Sequence, residues 1–134
     1  MTESSYLVWF RRVMWLGIIA NVALALLAMF RTEMVLDLIG LPQASPLVWP
    51  RFASFLLILL SGFYVPAAID PKGNLFAAVF AVICRFGGLG FFSIIGGRYI
   101  LFGLFDLTFG LPEAVLLTLA RASLRKTPDA GGAK

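Results

Sequence analysis

Three ionisable residues, Arg85, Asp106 and Glu113, interrupt stretches of sequence that are otherwise apolar. In a hydrocarbon environment such groups are costly, so they face other protein groups and pair with one another. Asp106 and Glu113 are seven positions apart, which places both carboxylates on one face of a helix. Arg85 lies about twelve residues before a Gly96-Gly97 turn, level with roughly position 108 on a returning helix. Asp106 is then offset by about 3 Å along the axis and Glu113 by about 7 Å, so Asp106 is the expected partner of Arg85. Pro112 lacks an N–H and leaves the Thr108 carbonyl free beside Glu113. Arg85, Asp106, Glu113 and Thr108 thus outline an intramembrane polar layer that could bind a headgroup, a quinone or a proton. A buried arginine–carboxylate pair also often fixes helix register without any chemistry. The residues alone leave both readings open.

Much other chemistry is excluded. The chain has no histidine and one cysteine, Cys84, so an intramolecular disulfide, a histidine-ligated metal or haem, and a histidine-based catalytic triad are ruled out. Cys84 is expected to be an inert, apolar-buried thiol. Gly87, Gly88 and Gly90 follow no strand and are not a phosphate loop; close helix packing accounts for them. No metal site and no catalytic residue is expected, and the only cofactor-like contacts anticipated are with lipid or quinone. Asn21 and Tyr64 are further polar residues within apolar stretches, expected to contribute to helix packing. Gly17 and Ala25, four residues either side of Asn21, favour close approach there.

These residues must be positioned by helices that cross a bilayer. Of the 134 residues, 60% are hydrophobic and 13% charged. The mean hydropathy is +0.94. A soluble domain of this size could not hide so much apolar surface. Four spans are expected at about 13–30, 52–69, 74–95 and 99–120, forming an all-α integral membrane four-helix bundle. A secretory signal peptide is the rival reading of the first span, with Arg11 and Arg12 before an apolar core; we read it as a retained helix. Between the first two spans, Met34, Val35 and Leu38 share a face, and Gly40 and Pro42 stop the run. This predicts a short interfacial helix. Pro66 predicts a bend in the second span. Residues 121–134 read as a polar tail. The whole chain, 1–134, is one membrane domain.

The pI of 9.7 does not indicate nucleic acid, because the basic residues lie at the ends of the apolar runs. Seven of them (Arg11, Arg12, Lys72, Arg121, Arg125, Lys126, Lys134) fall on the side of the termini and three (Arg31, Arg51, Arg98) on the other. This predicts both termini in the cytoplasm and a bacterial-type inner membrane.

Leu-Ile-Gly-Leu-Pro at Leu38–Pro42 ends the amphipathic stretch, and Pro-Arg-Phe-Ala-Ser at Pro50–Ser54 opens the second span. With a polar hairpin leading to the final pair, the pattern resembles the DoxX-like small four-helix membrane proteins. The resemblance covers most of the chain and implies an accessory membrane subunit associated with oxidoreductases. It carries over no site residue. The expected function is a non-catalytic accessory subunit packing against a larger redox or energy-converting complex, its partners being membrane lipids and other integral membrane subunits. The alternative is a small module that binds or transports a lipid, quinone or other hydrophobic metabolite.

Overall fold

The computed structural model describes residues 5–125. The described chain is all-helical: α1 (Ser5–Phe30), α2 (Thr32–Ile39), α3 (Val48–Ile69), α4 (Leu75–Ile95) and α5 (Ile100–Arg125), with a single 3-10 turn at Gly97–Tyr99 before α5. Four of these helices are long and apolar enough to cross a membrane, as expected, and α2 is the short helix between the first two. They run alternately up and down. α1 packs closely on α3 and on α5, α4 packs closely on α5, and the α3–α4 contact is the loosest of the ring. α1 and α4 are therefore diagonal partners.

Against the expected spans, α4 agrees within one residue at each end, α3 begins four residues earlier at Val48, and α1 and α5 extend further toward the chain ends. α1 starts at Ser5 rather than at 13, because hydropathy marks only the membrane-crossing part of a helix. The buried stripe Leu7, Phe10, Met14, Ile18, Asn21 and Ala25 recurs every three or four residues through both parts. Arg11 and Arg12 thus lie within the helix. The Arg11 Nε donates to the Ala68 carbonyl at 3.3 Å, and the Arg12 guanidinium lies 5.0 Å from the Trp9 ring. α5 continues past 120 to Arg125, since no helix breaker occurs there. The rest of the expected tail, 126–134, lies outside the described residues, and with it Lys126 and Lys134. α3 stays helical through Pro66.

α2 differs in its face. Thr32 and Val35 are buried against the bundle, while Met34 and Leu38 point outward. Its C-terminus is closed by Gly40, whose φ of 69° lies in the left-handed region. The Gly40 N–H donates to the Asp37 carbonyl at 3.0 Å and the Leu41 N–H to the Leu36 carbonyl at 2.9 Å, the two bonds of a Schellman cap. Neighbours pin the helix at both ends. The Arg51 Nε donates to the Thr32 hydroxyl at 3.4 Å, and Arg98 from the α4–α5 turn donates to the Ile39 carbonyl at 3.4 Å.

The core is built of small and aromatic residues. Phe10, Met14 and Ile18 of α1 meet Tyr64, Ala67 and Ala68 of α3, and Ala77, Ala78 and Ala81 of α4 complete it. In lipid, helices gain little from excluding apolar surface, so alanines and glycines that admit close approach are what hold them together.

Candidate functional site: a buried charged layer

The centre of the bundle holds Arg85. It projects from α4, and only 2% of its surface is exposed. The face that carries it also carries Ala78 and Ala81, so the arginine enters between helices rather than into lipid. Its Nη1 donates to the Asp106 Oδ1 at 3.3 Å and to the Asn21 Oδ1 at 3.1 Å. Its Nε faces the Glu113 Oε2 at 3.7 Å, an ion pair beyond hydrogen-bond length. Phe109 and Tyr64 flank the guanidinium, with ring centroids 5.1 and 5.8 Å away. One side chain from α4 thus binds α5 twice and crosses the bundle to reach its diagonal neighbour α1.

Glycines make room for it. A side chain at Gly110 of α5 would place its Cβ 2.7 Å from the Arg85 Cβ, so only glycine lets α4 approach here. A Cβ at Gly17 of α1 would collide with the Arg85 Nη2, and one at Gly88 with the Asp106 carboxylate. Gly17, Gly88 and Gly110 are therefore placed by the charged layer, whereas Gly87 and Gly90, expected to serve close helix packing, have nothing within 4 Å.

The layer is graded in exposure. The Glu113 side chain is fully buried, whereas the Asp106 side chain is 22% exposed. Among the described residues, the Arg85 Nε and Nη2 and both Glu113 carboxylate oxygens have no hydrogen-bond partner. Arg85 and Glu113 face each other across the 3.7 Å gap.

Five of the six polar residues that stand out in the sequence meet here: Arg85, Asp106, Glu113, Asn21 and Tyr64. Thr108 does not. It is exposed, and its hydroxyl donates to the Leu104 carbonyl at 2.9 Å. Two positions after Asp106, it is turned about 200° around the helix and cannot share the carboxylate face. Glu113, expected as the less direct partner, is paired with Arg85 as well, because the guanidinium meets Asp106 through its Nη1 and Glu113 through its Nε. The Asn21–Arg85 hydrogen bond is not among the sequence expectations; a depth count makes it compatible but does not select α1 as the neighbour. Asn21 lies ten residues after Arg11 and Arg85 thirteen after Lys72, on helices that start from the same face. The depths differ by only about 4.5 Å, within the reach of an arginine. Cys84 sits beside Arg85 half-buried and unbridged.

No family model matches the chain, and no curated protein or solved structure matches it.

Proposed function

We propose that the protein is a non-catalytic integral membrane subunit that packs against a larger redox or energy-converting membrane complex. One observation carries this reading. Arg85 is buried among Asn21, Asp106, Glu113 and two aromatic rings, with Gly17 and Gly110 close against it. A charged group so enclosed acts as a lock between helices rather than as a reaction centre. The outward faces of α3 and α4, with Phe52, Phe55, Phe63, Phe76 and Phe80, offer apolar surface suited to lipid or to a neighbouring subunit's helices. The likeness of Leu38–Pro42 and Pro50–Ser54 to the DoxX-like proteins points to an oxidoreductase as the complex. Purification from native membranes in mild detergent tests it: partner chains should co-elute in fixed ratio. Elution alone and monodisperse would count against it.

The basic residues favour a bacterial-type inner membrane with both termini in the cytoplasm. A reporter fused at Lys134 should be active only in its cytoplasmic form.

A specific observation favours a second reading, a module binding a lipid, quinone or hydrophobic metabolite. The Arg85 Nη2 and the Glu113 oxygens retain hydrogen-bonding capacity deep in the bundle. Under that reading Arg85→Met abolishes ligand binding. Under the first, it weakens the fold and leaves any lipid contact intact.

A further inference from the structure

At the end of the bundle that carries the chain termini, α1, α4 and α5 leave a cleft of about 330 Å³ between them. Its apolar walls are Leu7, Leu75, Leu117 and Ala120, and Lys72 and Arg121 stand at its rim. The volume lies at the low end of the range for small-molecule sites, about 300–1,000 Å³. Leu7, Leu117 and Ala120 belong to the packed interior, so the walls are fixed rather than formed by loose surface side chains.

Among the described residues, Asp70 is the one acidic residue at this end, and its Oδ1 already accepts from the Lys72 N–H at 3.1 Å and the Gly73 N–H at 3.0 Å. Among the described residues, no ion pair or side-chain hydrogen bond engages the Lys72 ammonium or the Arg121 guanidinium. Lys72 lies just before α4, and Arg121 follows the apolar stretch of α5, so both cations lie at the depth of the lipid headgroups. Two unpaired cations above an apolar cleft match an amphiphile with an anionic head and a hydrocarbon tail.

We propose that this cleft is a binding site for an anionic glycerophospholipid. Lys72 and Arg121 hold the phosphate, and Leu7, Leu75 and Leu117 receive the start of an acyl chain. The site is separate from the charged layer and stands whether or not the protein is a subunit of a complex.

The test uses the full chain in mild detergent, with native mass spectrometry to count retained lipid from mixtures of phosphatidylglycerol and phosphatidylcholine. The wild type should retain one phosphatidylglycerol in preference to phosphatidylcholine. The double variant Lys72→Gln/Arg121→Gln should lower that preference at least about tenfold, since each basic residue near an anionic surface contributes about fivefold. Leu75→Trp, which fills the cleft and keeps both cations, should also lose the lipid. Arg51→Gln/Arg98→Gln, at the opposite end, should keep it. Circular dichroism checks that each variant stays helical, and the wild-type titration is independent of any variant. The proposal is overturned if the wild type shows no preference, if the double variant retains lipid equally, or if the opposite-end variant loses it equally. It is also overturned if a photo-crosslinker at Leu75 captures a protein helix in native membranes instead of lipid.

Discussion

The two antiparallel pairs that make up the bundle are held by different chemistry. Between α1 and α3 the contact is mainly apolar, drawn from Phe10, Met14, Ile18, Tyr64, Ala67 and Ala68, with the Arg11 bond to the Ala68 carbonyl at its end and Ser61 satisfied by the Leu57 carbonyl of its own helix. Between α4 and α5 apolar contacts such as Phe92 on Phe102 and Leu89 on Gly103 are joined by Arg85, Asp106 and Glu113, with Gly88 and Gly110 opened around them. The first seam can slide by a residue or rotate slightly and still bury apolar groups. The second cannot, because a shift would strand a charge in hydrocarbon. In a solvent as apolar as the protein's own surface, packing alone distinguishes neighbours poorly, and a buried charge is what makes one register far better than the rest. Through Asn21 the same charge extends that constraint to α1.

The largest expected effect comes from removing the centre of the charged seam. Arg85→Met leaves two carboxylates without their cation and should destabilise the bundle by about 3–5 kcal/mol. Reversible unfolding in mixed micelles measures this, and a loss below about 1 kcal/mol would make the two seams equivalent. Next is Gly110→Val, which drives a side chain into the Arg85 Cβ only 2.7 Å away. It should cost about 1–3 kcal/mol. Valine at Gly62 or Gly87, where nothing lies within 4 Å, serves as the matched control and should cost little by comparison. In the apolar seam, the volume-conserving Met14→Leu should stay below about 1.5 kcal/mol in the same assay.

Replacing the whole charged layer separates its contribution to register from its contribution to stability. The triple variant Arg85→Met/Asp106→Leu/Glu113→Leu should recover most of what Arg85→Met alone loses, ending within about 1 kcal/mol of the wild type. It should also elute more heterogeneously, since it keeps the stability and discards the register. A triple variant well below the wild type in stability would mean that the charges are net stabilising here. The smallest effect is expected from Thr108→Val, within about 0.5 kcal/mol, because its hydroxyl only bonds back to its own helix. A larger loss would place Thr108 in the layer after all.

Several of these features are legible in the order of the residues. The spans at α3 and α4 are close to where hydropathy puts them, and the Arg85–Asp106 pair follows from counting residues back from the Gly96-Gly97 turn. The α2 cap follows from Gly40. Thr108 is not part of the layer because depth is only half of a position on a helix. The carbonyl freed by Pro112 lies at the right depth, but the Thr108 side chain points away from the carboxylates at the wrong angle around the axis. The face of α2 departs from expectation for a related reason. Met34 and Leu38 are apolar, but the surrounding lipid receives apolar side chains as readily as the bundle does, so hydrophobicity does not say which way they point.

The number of crossing helices, the places where they turn and the depth of each charge are thus properties of the amino-acid sequence. They are one-dimensional quantities, set by runs of apolar residues and by the fixed rise of a helix. The choice of which helix stands opposite Arg85 belongs to the tertiary structure alone. It brings Asn21 and Gly17 of α1 across the bundle to the guanidinium, and it leaves α3 and α4 loosely joined although they are consecutive in the chain. Lateral order and rotation depend on how small residues and a shared charge fit together in three dimensions, and that fit has no counterpart in a hydropathy profile.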